Sequence, residues 1–220
     1  MSNSCSTSYR FYSEDERELG RFHNFLATIK NDAANHGITV ICNGVQKVYN
    51  HANYYLMQER LNIPENQMVF GKGDLLILSK IYKKDKYFVF HVDMDDAWNA
   101  YPEAFGNMLD KRFTDVHFAY IAEEPACEVM EIHDDTGIFF NEKYVIDANL
   151  EGDYYDNIYE YFVDKESMIV YLKNLVSRFL PEAKAKAMEK ETDINKLVNA
   201  IRNEIASSGG YIKVHEFMVK

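Results

Sequence analysis

The hydrophobic positions change period along the chain, and each change marks an element. Ser4 to Ser13 (SCSTSYRFYS) is β-branched and aromatic with partial alternation, the pattern of a strand. Glu14 to Lys30 then reads as a helix, because Leu19, Phe22, Leu26 and Ile29 recur at three and four residues and form one stripe. Ser13 is its expected N-cap, with Glu16 completing a capping box, and the helix is expected to end before Gly37. Residues 38 to 84 give a mixed signal: a short strand at Ile38 to Cys42, a helix from Tyr49 to Leu61 stopped by Pro64, and a strand within Leu75 to Ile81.

Lys86 to Met94 (KYFVFHVDM) is the clearest strand, with Phe88, Phe90, Val92 and Met94 on one side and Tyr87, Val89, His91, Asp93 and Asp95 on the other. Pro102 opens a helix whose apolar face is Phe105, Met108, Leu109 and Phe113. Strands follow at Asp115 to Ala122, Cys127 to His133 and Ile138 to Ile146, the last two joined by a turn at Asp134 to Gly137. Tyr159 to Val163 is a further strand, and Asp164 caps a helix carrying Met168, Tyr171, Leu172, Leu175, Val176 and Phe179. Glu182 to Ala206 reads as one last helical stretch, stopped at Ser208-Gly209-Gly210 before a strand within Tyr211 to Val219.

This order predicts an α+β fold: an antiparallel or mixed sheet with helices packed on one face, an insert, and C-terminal helices. The ferredoxin-like split βαβ arrangement fits it best. Residues 1–180 are expected to form that domain, with an insert at 32–84, and 181–220 to pack on the same domain as a helix and strand.

The run from Phe105 to Ile146 carries a resemblance. Lys111-Arg112-Phe113 and Asp115-Val116-His117-Phe118 follow a helix and give the pattern F-x-D-V-x-F. Glu123-Glu124-Pro125-Ala126 forms an acidic turn, and a hairpin passes through Gly137. In these features the chain is similar to the ferredoxin-like domain of YubB-type proteins of plasmids and phages, over roughly residues 86–176. The resemblance implies a ferredoxin-like fold and a mobile-element origin, and it carries over no catalytic residues.

Composition narrows the functional classes. Thirty-five acids against 24 bases leave a net charge of -11, which works against a broad phosphate-binding surface. Cys5, Cys42 and Cys127 are an odd number with no close pair, neither a disulfide framework nor a zinc signature. No secretory signal or membrane-spanning run is visible, so the expectation is a soluble, cytoplasmic protein without a membrane partner.

Four segments are candidates for chemistry. His91, Asp93 and Asp95 share one strand face, and with Glu131 and His133 on a neighbouring strand they would make a site for Mg²⁺ or Mn²⁺ and phosphoester hydrolysis. The alternative is a solvated sheet face running into acidic turns, with no cofactor. Gly71-Lys72-Gly73-Asp74 lacks the spacing of a phosphate loop and reads as a turn before a strand. Lys80 to Lys86 (KIYKKDK) is the one dense basic cluster, a candidate RNA contact or a solvated hairpin; RNP1-like aromatics are missing, which argues against nucleic acid. Finally, Glu151, Asp153, Tyr154, Tyr155, Asp156 and Tyr159 combine acid with tyrosine and suit contact with a basic protein partner. The leading expectation is a non-enzymatic protein-binding module.

Overall fold

The structure, a computed structural model, describes residues 4–42, 45–97, 99–124, 129–152 and 157–220. The chain is α+β and divides into two compact units, Met1–Phe140 with Lys220, and Asn141–Val219. Each has its own apolar core. The division falls between Phe140 and Asn141.

The first unit runs β1 (Ser4–Ser13), α1 (Glu16–His36), β2 (Ile38–Cys42), β3 (Val45–Tyr49), α2 (Tyr54–Arg60), β4 (Gly73–Leu78), β5 (Tyr82–Lys84), β6 (Tyr87–Ala97), α3 (Pro102–Arg112), β7 (His117–Glu124) and β8 (Val129–His133). Its main sheet has the order β8-β7-β1-β6-β4, with β5 also paired to β6. These pairings are antiparallel, and β2 and β3 form a separate antiparallel pair. Strand β1 is central because its alternating Cys5, Thr7, Tyr9 and Phe11 are all buried. Phe11 packs against Phe22 of α1 at 5.0 Å between ring centroids and against Phe105 of α3 at 4.9 Å. Each such fully buried ring stabilises the fold by roughly 1.5–3 kcal/mol relative to exposure.

The expected insert does not stand apart. Ala52, Tyr54, Leu56, Met57, Leu61 and Ile63 belong to this same core, and β4 is a strand of the main sheet. The start of α1 also differs from expectation. Its cap is Asp15, whose carboxylate accepts from the N–H of Arg17 at 2.8 Å and of Glu18. An anion at the positive end of the helix suits the cap better than a hydroxyl, and Ser13 remains the last residue of β1. Strand β4 has a register irregularity between Leu75 and Ile77, and Leu76 and Ile77 are exposed there.

The second unit holds β9 (Tyr144–Asn149), β10 (Asn157–Phe162), α4 (Lys165–Phe179), α5 (Glu182–Met188), α6 (Ile194–Ile205) and β11 (Tyr211–Glu216), its antiparallel sheet ordered β10-β9-β11. Ile146, Ala148 and Ile212 of the sheet pack with Met168 and Leu172 of α4 and with Leu197 and Ile201 of α6. Asp164 caps α4 as expected, accepting from Ser167 N–H at 2.7 Å. The stretch from Glu182 does not continue as one helix. Asp193 starts α6 anew by accepting from the N–H groups of Asn195 and Lys196.

The expected hairpin through Gly137 is absent, and the reason is local. Gly137 does turn, at φ 64°. The Asp134 carboxylate then collects the hydroxyl and N–H of Thr136 and the N–H groups of Gly137, Phe139 and Phe140, at 2.7–3.1 Å. N–H groups held this way cannot build a ladder with β8, so the next strand, β9, forms in the other sheet. Burial pushes the Asp134 carboxyl up, but the bonds from Thr136, Phe140 and Phe139 outweigh it and hold the pKa below the ordinary aspartate value.

Replacing Asp134 with Ala leaves the backbone N–H groups of Thr136, Phe139 and Phe140 without their acceptor and is expected to cost about 3 kcal/mol at neutral pH. The folded carboxyl titrates below the unfolded one. Its contribution is therefore present above the ordinary aspartate range and is lost as pH falls through the lowered value. Urea unfolding of the parent and the variant at neutral pH and at about pH 3 checks this: the gap between them should narrow in acid.

Candidate functional site

Antiparallel register places directly opposed residues on the same face of a sheet. His91, Asp93 and Asp95 do share a face, opposite Arg10, Ser8 and Ser6 of β1. Ser8 donates to Asp93 at 2.6 Å, and Arg10 donates to the Ser8 hydroxyl at 2.8 Å. Glu131 and His133 lie elsewhere. Glu131 opposes Ala122, which opposes Thr7, which opposes Met94, so Glu131 belongs to the other face. His133 follows Tyr120, Tyr9 and Val92 onto that face as well. Strands β7 and β1 also stand between β8 and β6, which separates the two sets by about 14 Å at ordinary strand spacing. The five residues cannot share one ion. Among the described residues no group of three His, Cys, Asp or Glu side chains could hold a metal.

The glycines at 71 and 73 serve close packing. A Cβ on Gly71 would stand 2.4 Å from the Tyr101 ring, and one on Gly73 would stand 2.0 Å from Asp96 Oδ1. In the basic cluster, Lys84 donates to the Ile138 carbonyl at 2.7 Å and lies over the Phe139 ring, Lys83 lies over Phe88, and Lys86 pairs with Glu14 at 2.5 Å.

In the acidic tyrosine segment, Asp153, Tyr154, Tyr155 and Asp156 lie outside the described residues. Glu151 is exposed and pairs with Arg178 at 3.3 Å. Tyr159 and Tyr161 of β10 alternate onto one face of the sheet, 45% and 42% exposed, and Glu160 between them is exposed too. Among the described residues β10 pairs only with β9, and no strand is paired to its other edge.

A concave surface lies at the ends of β4 and β6, where Ser4, Asp74, Asp95 and Asp96 meet Tyr49, His51, Asn53, Tyr55, Phe70 and Lys72 around a cleft of about 720 Å³. Asp74 and Asp95 oppose each other directly in the β4–β6 register, two like charges side by side. The Ser4 hydroxyl donates to Asp95. Asp96 follows the parity of Val92 and Met94 and turns inward, where it is 1% exposed. Its Oδ2 accepts from Thr7 at 2.7 Å and from the Tyr54 hydroxyl at 3.3 Å. Its Oδ1 has no hydrogen-bond partner. The Tyr54 hydroxyl also lies 3.2 Å from that of Tyr9.

Burial sets the charge states here. It pushes the Asp96 carboxyl up to about 7, against the pull of the Thr7 and Tyr54 hydrogen bonds. Asp74 is raised by burial and by Asp95, and His51 draws it back. Burial lifts the Cys5 thiol to about 11 and the hydroxyls of Tyr9 and Tyr54 well above their ordinary value. Sequence reasoning missed this cluster because Asp95-Asp96 looks like the acidic end of a strand. The signal that finds Asp96 is the count of two from Met94. Compared with family models, curated proteins and solved structures, the chain matches none.

The buried carboxyl makes stability pH-dependent in a set direction. Asp96 binds its proton more tightly when folded, so its contribution is most favourable below the unfolded value of 3.8 and worsens as pH rises to about 7. The full effect is on the order of 4 kcal/mol. The urea midpoint of the parent is therefore expected to fall between about pH 4 and pH 7, and Asp96→Asn should flatten that fall and gain stability at the higher pH. Parallel curves for the two proteins would refute a buried, proton-holding Asp96.

Proposed function

We propose that the chain is a binding module that engages an extended, basic segment of a partner protein along β10. The observation that supports this reading is the edge of β10 to which, among the described residues, no strand is paired, beside exposed Tyr159, Glu160 and Tyr161. An edge strand offers a ladder of backbone donors and acceptors to an added strand, and alternating side chains supply selectivity. Tyrosine combines contact area with a polar tip, and an overall charge of -11 favours a cationic partner in the approach.

A ferredoxin-like first unit belongs to the same reading. The run β1-α1-β4-β6-α3-β7 repeats the βαββαβ pattern, and the antiparallel order β7-β1-β6-β4 supports it. With the similarity to YubB-type proteins, this favours a setting in a bacterial mobile element.

Arrays of extended peptides about ten residues long, basic, neutral or acidic, test the binding reading. Basic peptides should be captured preferentially and released by salt, and Tyr159→Ala with Tyr161→Ala should weaken capture about tenfold. Equal capture of basic and acidic peptides, or no loss in the double variant, would count against it.

A further inference from the structure

The cleft of the first unit goes beyond that reading: it lies in the other unit and suits a small molecule. We propose that it binds a small organic cation, an ammonium or guanidinium group carried on an apolar body. The acidic wall comes first. Asp74 and Asp95 stand directly opposite on β4 and β6, an arrangement that costs a sheet free energy through like-charge repulsion. A cation between them removes that cost. Asp96, on the inward face of β6, lies behind that wall, 1% exposed, with an oxygen that no donor reaches. That oxygen lies against Gly73, and only a residue without a Cβ at 73 permits the approach. A buried oxygen left without a donor is uncommon in folded proteins and calls for an explanation. That oxygen is shut off from the surface, so a positive charge in the cleft acts on it through space and without contact.

Aromatic rings line the same cleft. The rings of Tyr49 and Tyr55 lie 6.0 Å apart between centroids, and those of Tyr55 and Phe70 also 6.0 Å. Phe70 is 61% exposed and stacks on Tyr55, so part of its ring is open to a ligand. Rings and carboxylates lining one cleft favour a cation by two routes, charge attraction and the negative face of the π system. A volume of about 720 Å³ lies within the range of small-molecule sites.

A point ion fits less well. Among the described residues no three His, Cys, Asp or Glu side chains converge to metal distance, and a hard cation has no use for the aromatic rings. His51 and Lys72 also line the cleft. Lys72 brings one positive charge of its own, so the site favours a ligand with a single cationic group over a polycation.

The test is calorimetric titration of the full chain with 2-phenylethylamine, with 2-phenylethanol as the neutral counterpart, and with MnCl₂. The amine is expected to bind with a Kd of about 1 mM or tighter, at least tenfold more tightly than the alcohol. Asp74→Asn with Asp95→Asn should weaken the amine about tenfold. Phe70→Ala, at an exposed position that leaves the core intact, should weaken it several-fold. Equal binding of amine and alcohol, undiminished binding in the double variant, no binding of the amine, or Mn²⁺ binding that the double variant abolishes would each overturn the proposal. Retained peptide capture along β10 in these variants would keep the outcome separate from that of the partner-binding reading.

Discussion

Strand β1 is paired on both sides along nearly its whole length, and that double pairing decides the face on which each neighbouring side chain lies. Ten residues of β1 oppose β6 and seven oppose β7. A slip of one position would turn Tyr9 and Phe11 out of the core and bring Ser8 and Arg10 into it. The register is therefore strongly specified by burial. It carries His91, Asp93 and Asp95 to one side and Asp96 to the other, with no further instruction from those residues themselves.

The same constraint explains the character of the cleft. Where β4 and β6 end, the alternation continues two positions past Met94 and delivers a carboxyl to a buried position. Thr7 and Tyr54 supply hydrogen bonds to one of its oxygens. Burial then favours the protonated form more than those bonds favour the anion. Asp95, one position earlier, faces outward against Asp74. Two adjacent residues of one type thus occupy opposite electrostatic settings because the strand period is two.

Local signals were readable in the sequence wherever one element decided the outcome. The span of β1, the buried stripe of α1, Pro102 at the start of α3 and the Asp164 cap follow from periodicity and capping chemistry alone. Pairing between elements was not readable. The segment after Gly137 has the composition of a hairpin partner for β8, yet a single carboxylate, Asp134, takes the N–H groups that such pairing needs. The split of the last helical stretch turned on Asp193, one cap among several polar residues. The cleft escaped notice for the same reason: its walls come from residues 4, 49–55, 70–74 and 95–97, distant in sequence and joined only by strand order.

The irregular pairing within β4 reaches past the first unit's own architecture. An outermost strand bearing exposed Leu76 and Ile77 is the kind of border on which a second chain could stack and propagate. The kink between Leu75 and Ile77 breaks the even spacing of donors and acceptors that such stacking needs. The start of the same border is closed by main chain as well, through the Asn53–Asp74 bridge and the Leu75 N–H donating to the Ala52 carbonyl at 2.8 Å, so what remains for an added strand is short and unevenly spaced.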